Sequence, residues 1–328
     1  MGPPRVLVVG AGGVGGYYAG QLAGAGHEVT LVARGAHAEA LRAHGLRVRI
    51  PDRGEQRHAV GVVEDPRDTG VADLILVAVK SYDTEQAARL LAPCAGPDTI
   101  VLSLQNGPEN EDVLARATGL PPLLLAVTYI GSEIAEPGVI AYSGAAEIVF
   151  GEPDGASSPR ARRLSAWLDG AGVKHRVSSR IRNVVWDKLA WNAAFNAITS
   201  ITRRNIRGIL DDPAGHGLIR DTMQETLDVA HGLGIDVPVR IDASIEHSRR
   251  VLPDFRTSML QDLERGKRLE HDALNGAVVR AGLRAGVATP LNATFARLLA
   301  TIDPHGAALR ARSSSATRSG VRQPIADP

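Results

Sequence analysis

Four polar side chains, Lys188, Asn192, Asn196 and Ser200, recur every four residues within the stretch from Ile181 to Ile201. On a helix that interval stacks them in one narrow line, each about 6 Å further along the axis than the last. The remainder, Val184-Val185-Trp186 through Ala193-Ala194-Phe195 to Ile198, is apolar around most of the helical circumference and predicts a buried helix. Unpaired buried polar groups cost about 1–3 kcal/mol each, so the line needs partners, and a polar ligand is the natural one. The competing explanation is an ordinary solvent-facing edge, but such edges carry several charges and this line has one.

An ammonium followed by amides suits the reduction of a carbonyl. Lys188 places positive charge at the carbonyl oxygen and holds a proton for the alkoxide that forms when hydride reaches carbon. A nearby carboxylate would orient the ammonium, and candidates stand in Ser258-Met259-Leu260-Gln261-Asp262 and Glu270-His271-Asp272. Glu270 fits that role and equally fits a plain helix-start cap.

The hydride needs a source, and Gly10-Ala11-Gly12-Gly13-Val14-Gly15 follows directly on the apolar run Arg5 to Val9. A strand running into G-x-G-x-x-G is the dinucleotide fingerprint. Gly10 permits the tight turn, Gly12 lets backbone approach a pyrophosphate, and Gly15 lets helix and strand pack closely over a helix N-terminus that attracts anions. An NAD-preferring site ends its second strand in Asp or Glu. Here that strand ends Val32-Ala33-Arg34, and a guanidinium favours a 2′-phosphate, which predicts NADPH. Two more run ends face the crevice where open sheets bind ligands: Val79-Lys80-Ser81 and Leu104-Gln105-Asn106-Gly107. Lys80 suits a cofactor phosphate, and Asn106 suits the nicotinamide ribose or the substrate.

The elements that must position these residues are legible in outline. Apolar runs at Arg5–Val9, Glu28–Val32, Asp73–Val79, Thr99–Leu104 and Leu123–Ile130 are continuous rather than alternating, the mark of strands covered on both faces of a parallel sheet. Gly138–Ser143 and Glu147–Gly151 read as an antiparallel hairpin at its edge, and Val173–Val177 as a last strand. Beyond about Pro159 helical periodicity takes over, with helices expected at Ile181–Ile201, Pro213–Leu233, Pro238–Leu252, His271–Ala285 and Pro290–Ile302. The expected architecture is α/β: an N-terminal Rossmann-type doubly wound sheet over residues 1–178, an all-helical domain over 179–309, and a disordered tail over 310–328 rich in Ser, Arg and Pro.

Composition removes several classes. With 37 basic and 36 acidic side chains, no global field draws the chain to nucleic acid or an anionic membrane. One cysteine, Cys94, excludes a disulfide framework and points to a reducing, cytoplasmic setting. No stretch reaches the roughly 18 apolar residues of a spanning helix, no signal segment opens the chain, and the ten histidines lack metal-ligand spacing. Apolar faces in the helical half are compatible with a homodimer.

Taken in order, these segments resemble the ketopantoate reductase (2-dehydropantoate 2-reductase) family over nearly the whole chain. The matching pieces are Gly10 to Gly15, Ala33-Arg34-Gly35, Val79-Lys80, Gln105-Asn106-Gly107, Trp186-Asp187-Lys188 with Asn192 and Asn196, Ser258 to Asp262, and Glu270 with Asp272 to Gly276. The resemblance implies an active site in the cleft between a Rossmann domain and a helical domain, with Lys188 as general acid and Glu270 binding substrate beside it. It implies that Ser258, Asn192, Asn196 and Asn106 hold the 2-oxo acid, that Arg34 and Lys80 grip the NADPH 2′-phosphate, and that the product is pantoate, a precursor of pantothenate and coenzyme A. Two positions depart from the family pattern: Phe255 stands where Asn is frequent, and Arg207-Gly208 where Asn-Gly is frequent. They leave open a paralogue acting on another 2-oxo acid. A nonenzymatic NADPH-binding sensor is the third reading, since fold alone does not imply activity.

Overall fold

The computed structural model describes residues 3–121 and 123–305. The tail expected to be disordered, 310–328, lies outside the described residues. The chain divides into two compact units, Met1–Lys188 and Leu189–Pro328.

The first unit is built on five parallel strands, β1 (Arg5–Val9), β2 (Glu28–Val32), β5 (Gly61–Val63), β6 (Ala72–Val77) and β7 (Ala95–Ser103), in the order β5-β2-β1-β6-β7. Because strand side chains alternate between faces, the continuous apolar runs feed two cores at once. Val6, Val8, Leu74 and Leu76 enter one, with Tyr18 and Leu22 of α1 (Gly13–Gly24) and Leu41 of α2 (Gly35–His44). Leu7, Val9, Ile75 and Val77 enter the other, with Ala87 and Leu91 of α3 (Thr84–Leu91) and Leu114 of α4 (Asn110–Thr118). The expected doubly wound sheet is the observed one.

A second sheet corrects the expectation around residues 123–151. The run expected as a fifth parallel strand keeps one parallel bridge, Leu124 to Leu102 of β7, and from there on is the start of β8 (Leu125–Glu136), which pairs antiparallel with β9 (Val139–Gly151). The two runs expected to pair with each other are one continuous β9, and its irregular middle, where the register shifts near Gly131 and Gly144, mimics a turn in sequence. β3 (Leu46–Ile50), β4 (Gly54–His58) and β10 (His175–Val177) complete this sheet in the order β10-β9-β3-β4. Helix α1 lies against it as well as against the parallel sheet. That explains the glycines on α1, since a Cβ on Gly16 would sit 2.6 Å from Ile140 and one on Gly20 2.7 Å from Val48. Helix α5 (Pro159–Gly170), capped by Ser158 at the Ala161 N–H, adds Leu164 and Leu168 to the first core.

The described part of the second unit is helical, as expected: α6 (Ile181–Thr202, begun in the first unit), α7 (Ile206–Leu210), α8 (Pro213–Gly232), α9 (Ile241–Val251), α10 (Ser258–Glu264), α11 (Ala277–Ala285) and α12 (Pro290–Ile302). Asp212 caps α8 and Thr257 caps α10. The Glu225 carboxylate closes the start of α12 by accepting from the Leu291 and Asn292 N–H groups at 2.9 and 2.8 Å. The helix expected to begin at His271 instead opens as a π turn, Asp272–Gly276, in which the Gly276 N–H reaches the His271 carbonyl. The wider turn turns Asn275 inward, where its amide donates to the Ala193 carbonyl and to Asn292 Oδ1, both at 2.9 Å. Among the described residues no helix is long and apolar enough to cross a membrane.

Candidate active site

Strand β1 ends at Val9, and the chain turns at Gly10 with φ +105°, a backbone conformation that costs other L residues dearly. A Cβ on Gly10 would lie 2.6 Å from the Ala78 carbonyl carbon at the end of β6, and one on Gly15 would overlap the Gly10 carbonyl oxygen. Gly12 is different. It is the N-cap of α1, no side chain caps it, no acid stands in the first turn, and a Cβ there would meet nothing within 4 Å. An open space over bare helix N–H groups is what a pyrophosphate requires, so Gly10, Ala11, Gly12, Gly13, Val14 and Gly15 fit a dinucleotide. Gly13 is backed by the Ser132 carbonyl of β8.

Arg34 follows β2, exposed, as the N-cap residue of α2. Its charge reaches Asp65, just beyond the neighbouring β5. That carboxyl is held at about 2, first by hydrogen bonds from the Arg67 guanidinium and more weakly by Arg34. This corner therefore holds two guanidinium charges, Arg34 and Arg67, beside one ionised carboxylate.

The ends of β6 and β7 are tied together by a network centred on Gln105. Its amide donates to the Val79 carbonyl at 2.9 Å and to Thr84 Oγ1 at 2.7 Å, and Thr84 Oγ1 donates to Asn110 Oδ1 at 2.8 Å. The Asn110 amide then donates to the Asn106 carbonyl at 2.8 Å, which also accepts from Ser81 Oγ at 2.7 Å. Half-buried Lys80 and Asn106 are thus set on one braced pair of strand ends. Gln105 stood in the motif without a role. Thr84 and Asn110 gave no signal, because their importance lies in reaching across 21 and 26 residues.

Lys188 is half-buried in the first unit. Its ammonium donates to the Thr128 carbonyl of β8 at 2.7 Å and lies 5.7 Å from the centre of the Tyr129 ring. The Thr128 hydroxyl in turn hydrogen-bonds the Tyr18 phenol of α1 at 2.7 Å, so one residue of β8 contacts both the lysine and the helix that follows the glycine turn. Burial pushes the Tyr129 phenol up to about 12 and raises the neighbouring Asp187 carboxyl.

In the second unit, Asn192 and Asn196 are 7% and 2% exposed. The Asn196 amide donates to Asn192 Oδ1 at 3.3 Å, while its own Oδ1 accepts from the Met259 N–H at 3.4 Å, one residue past Ser258. Ser258 is exposed at the first position of α10. Thr257 beside it is buried, caps that helix and hydrogen-bonds Thr199 at 2.7 Å. Ser200, the last member of the line, is fully buried, and its Oγ has no hydrogen-bond partner among the described residues. Glu270 is buried at 8% exposure just before the π turn. Of the two departures, Arg207 forms an exposed ion pair with Asp254 at 3.4 Å, and Phe255 is 37% exposed in the loop before α10. Among the described residues no cluster of His, Cys, Asp and Glu is placed to hold a metal.

An open parallel sheet running through a glycine turn into an uncapped helix defines a dinucleotide-binding protein of the Rossmann class, here followed by a helical unit. Residues 6–155 match the family model for ketopantoate reductase PanE/ApbA, and residues 180–303 match that for its C-terminal domain. The chain belongs to the ketopantoate reductase family. It is 34% identical over 300 residues to a 2-dehydropantoate 2-reductase of Halobacterium salinarum, spanning 90% of this chain and 97% of that one. To the 2-dehydropantoate 2-reductase of Mesorhizobium japonicum it is 32% identical over 307 residues, 87% and 94% of the two chains. The crystal structure of a PanE/ApbA family ketopantoate reductase from Ralstonia eutropha superposes with a TM-score of 0.85 at 36% identity, covering 92% of this chain and 99% of that one.

Proposed function

We propose that this protein reduces 2-dehydropantoate to pantoate with NADPH, a 2-oxo acid to a 2-hydroxy acid. Identity above 30% to 2-dehydropantoate 2-reductases over nearly all of both chains supports the substrate. The geometric observation that carries the chemistry is the half-buried Lys188 ammonium, held at 2.7 Å by a backbone carbonyl on a helix whose next polar residues are buried amides.

Bound NADPH supplies the hydride for the keto carbon. Gly10 to Gly15 would receive its pyrophosphate, and Arg34 and Lys80 would hold its 2′-phosphate. Lys188 neutralises charge growing on the carbonyl oxygen and delivers the proton that completes the hydroxyl. Glu270 binds substrate beside Lys188, and Asn106, Asn192, Asn196 and Ser258 hold the 2-oxo acid by hydrogen bonds. A cytoplasmic location and a homodimer belong to the same proposal. The first is supported by a lone, buried, unpaired Cys94.

The test is NADPH oxidation by purified protein across a panel of 2-oxo acids. Turnover is expected with 2-dehydropantoate well above the other acids, and a protein that binds NADPH yet turns over none of them would overturn the reading.

A further inference from the structure

His37 stands in the first turn of α2, three residues past Arg34, and three elements meet at its ring. Nδ1 accepts a hydrogen bond from the Gly138 N–H at 3.1 Å, across 101 residues. Gly138 sits at the turn between β8 and β9 with φ +78°, its Cβ position closed by Ala40 at 3.1 Å, while its carbonyl accepts from the Arg47 N–H of β3 at 3.0 Å. Nδ1 therefore carries no proton, and in the neutral ring the proton lies on Nε2. That nitrogen is buried and has no partner in hydrogen-bond geometry among the described residues, yet the ring is near enough to feel the backbone of Ala11, the second residue of the glycine turn. Burial outweighs that contact and lowers the pKa of the ring, which keeps it neutral.

A buried N–H without an acceptor is costly, and the Ala11 backbone near the ring belongs to the turn on which a dinucleotide would settle. We propose that His37 is a positioning residue for the cofactor: its neutral ring, anchored at Gly138, braces the Ala11 turn and holds it in register with the Arg34-bearing start of α2. The bond from Nε2–H to Ala11 is completed when the dinucleotide orders the turn. This rests on the assignment of NADPH as cofactor. It adds a residue that contacts neither hydride nor substrate and acts through the glycine turn.

Two substitutions separate the two ring nitrogens. In His37→Asn the side-chain oxygen still accepts from Gly138, but the donor facing Ala11 is gone. In His37→Gln the amide nitrogen restores a donor near the Nε2 position. His37→Asn is expected to raise the KM and Kd for NADPH about tenfold while kcat at saturation and the KM for the 2-oxo acid change less than twofold, and His37→Gln should stay within about threefold of wild type. Should either variant fail to fold, imidazole 15N spectra of the wild-type protein carry the test. Nε2 is expected to hold the proton and its resonance to shift when NADPH saturates the protein. NADPH binding by His37→Asn equal to wild type, or an Nε2 signal indifferent to NADPH, would overturn the role of His37. Wild-type protein that does not bind NADPH would overturn the cofactor reading itself.

Discussion

The Lys188 ammonium donates to the main-chain carbonyl of Thr128 at 2.7 Å. The carbonyl points a partial negative charge at the amine, and the Tyr129 ring presents its face 5.7 Å away, a cation–π contact. This anchor fixes the direction of the amine. Lys188→Ala should therefore lower kcat about 10²- to 10³-fold, as removal of a general acid and charge stabiliser does, while the Kd for NADPH stays within about threefold. Steady-state kinetics beside a fluorescence titration of NADPH read both quantities. Normal turnover by the variant would remove Lys188 from the mechanism.

Arg34 should set the preference between the two nicotinamide dinucleotides. Its guanidinium is exposed at the end of β2, where only NADPH carries a phosphate to meet it. Arg34→Ala is expected to raise the KM for NADPH by about tenfold or more, in line with the loss of a charge-assisted contact, and to leave the KM for NADH nearly unchanged. Equal losses with both dinucleotides would show that Arg34 supports the fold of this corner instead.

How far the molecule is legible in sequence depends on which groups carry each interaction. Strands β1 and β2 end where their apolar runs end, because Val6 to Val9 of β1 are buried on both faces and Val29 and Leu31 of β2 are buried beside them. β5 was not expected: three residues, Gly61-Val62-Val63, make too short a run to stand out, and the neighbouring β2 decides their pairing. β9 was split in two because its middle residues bulge and carry Gly144. The polar line on α6 was visible because Lys188, Asn192 and Asn196 share a helical interval. The partner of Lys188 was not, since a main-chain carbonyl has no residue signature and Thr128 lies 60 positions away. The Gln105–Thr84–Asn110 brace was hidden for the same reason of distance along the chain.

Two glycines of the turn should fail in opposite ways. Gly10→Ala forces a side chain into a positive-φ backbone and against the Ala78 carbonyl carbon, so it should cost about 3 kcal/mol or more of stability. Gly12→Ala meets no atom within 4 Å, so chemical unfolding should place it within about 1 kcal/mol of wild type while NADPH binding falls at least tenfold. If Gly12→Ala binds NADPH normally, the pyrophosphate does not lie over that position.

Glu111 gives a pH dependence of known sign. It lies in the first turn of α4 at 6% exposure, and burial pushes its carboxyl from an ordinary 4.5 up to about 8, against the smaller opposing pull of backbone N–H groups at Glu111 and Ala126. Between those two values the folded protein keeps a proton that the unfolded chain has released, so stability contributed by this group falls as pH rises from about 4.5 to about 8 and levels off above it. Glu111→Gln keeps the shape and cannot ionise, so its loss of stability with rising pH should be shallower. Denaturant unfolding of both proteins at pH 5 and pH 8.5 isolates the effect from the other titrating groups, which the two share. The variant is expected to gain roughly 1–3 kcal/mol on wild type between the two conditions, the scale on which an uncompensated buried polar group is costed. Parallel pH profiles for the two proteins would mean that Glu111 is ionised in the folded state and that its two backbone donors outweigh its burial.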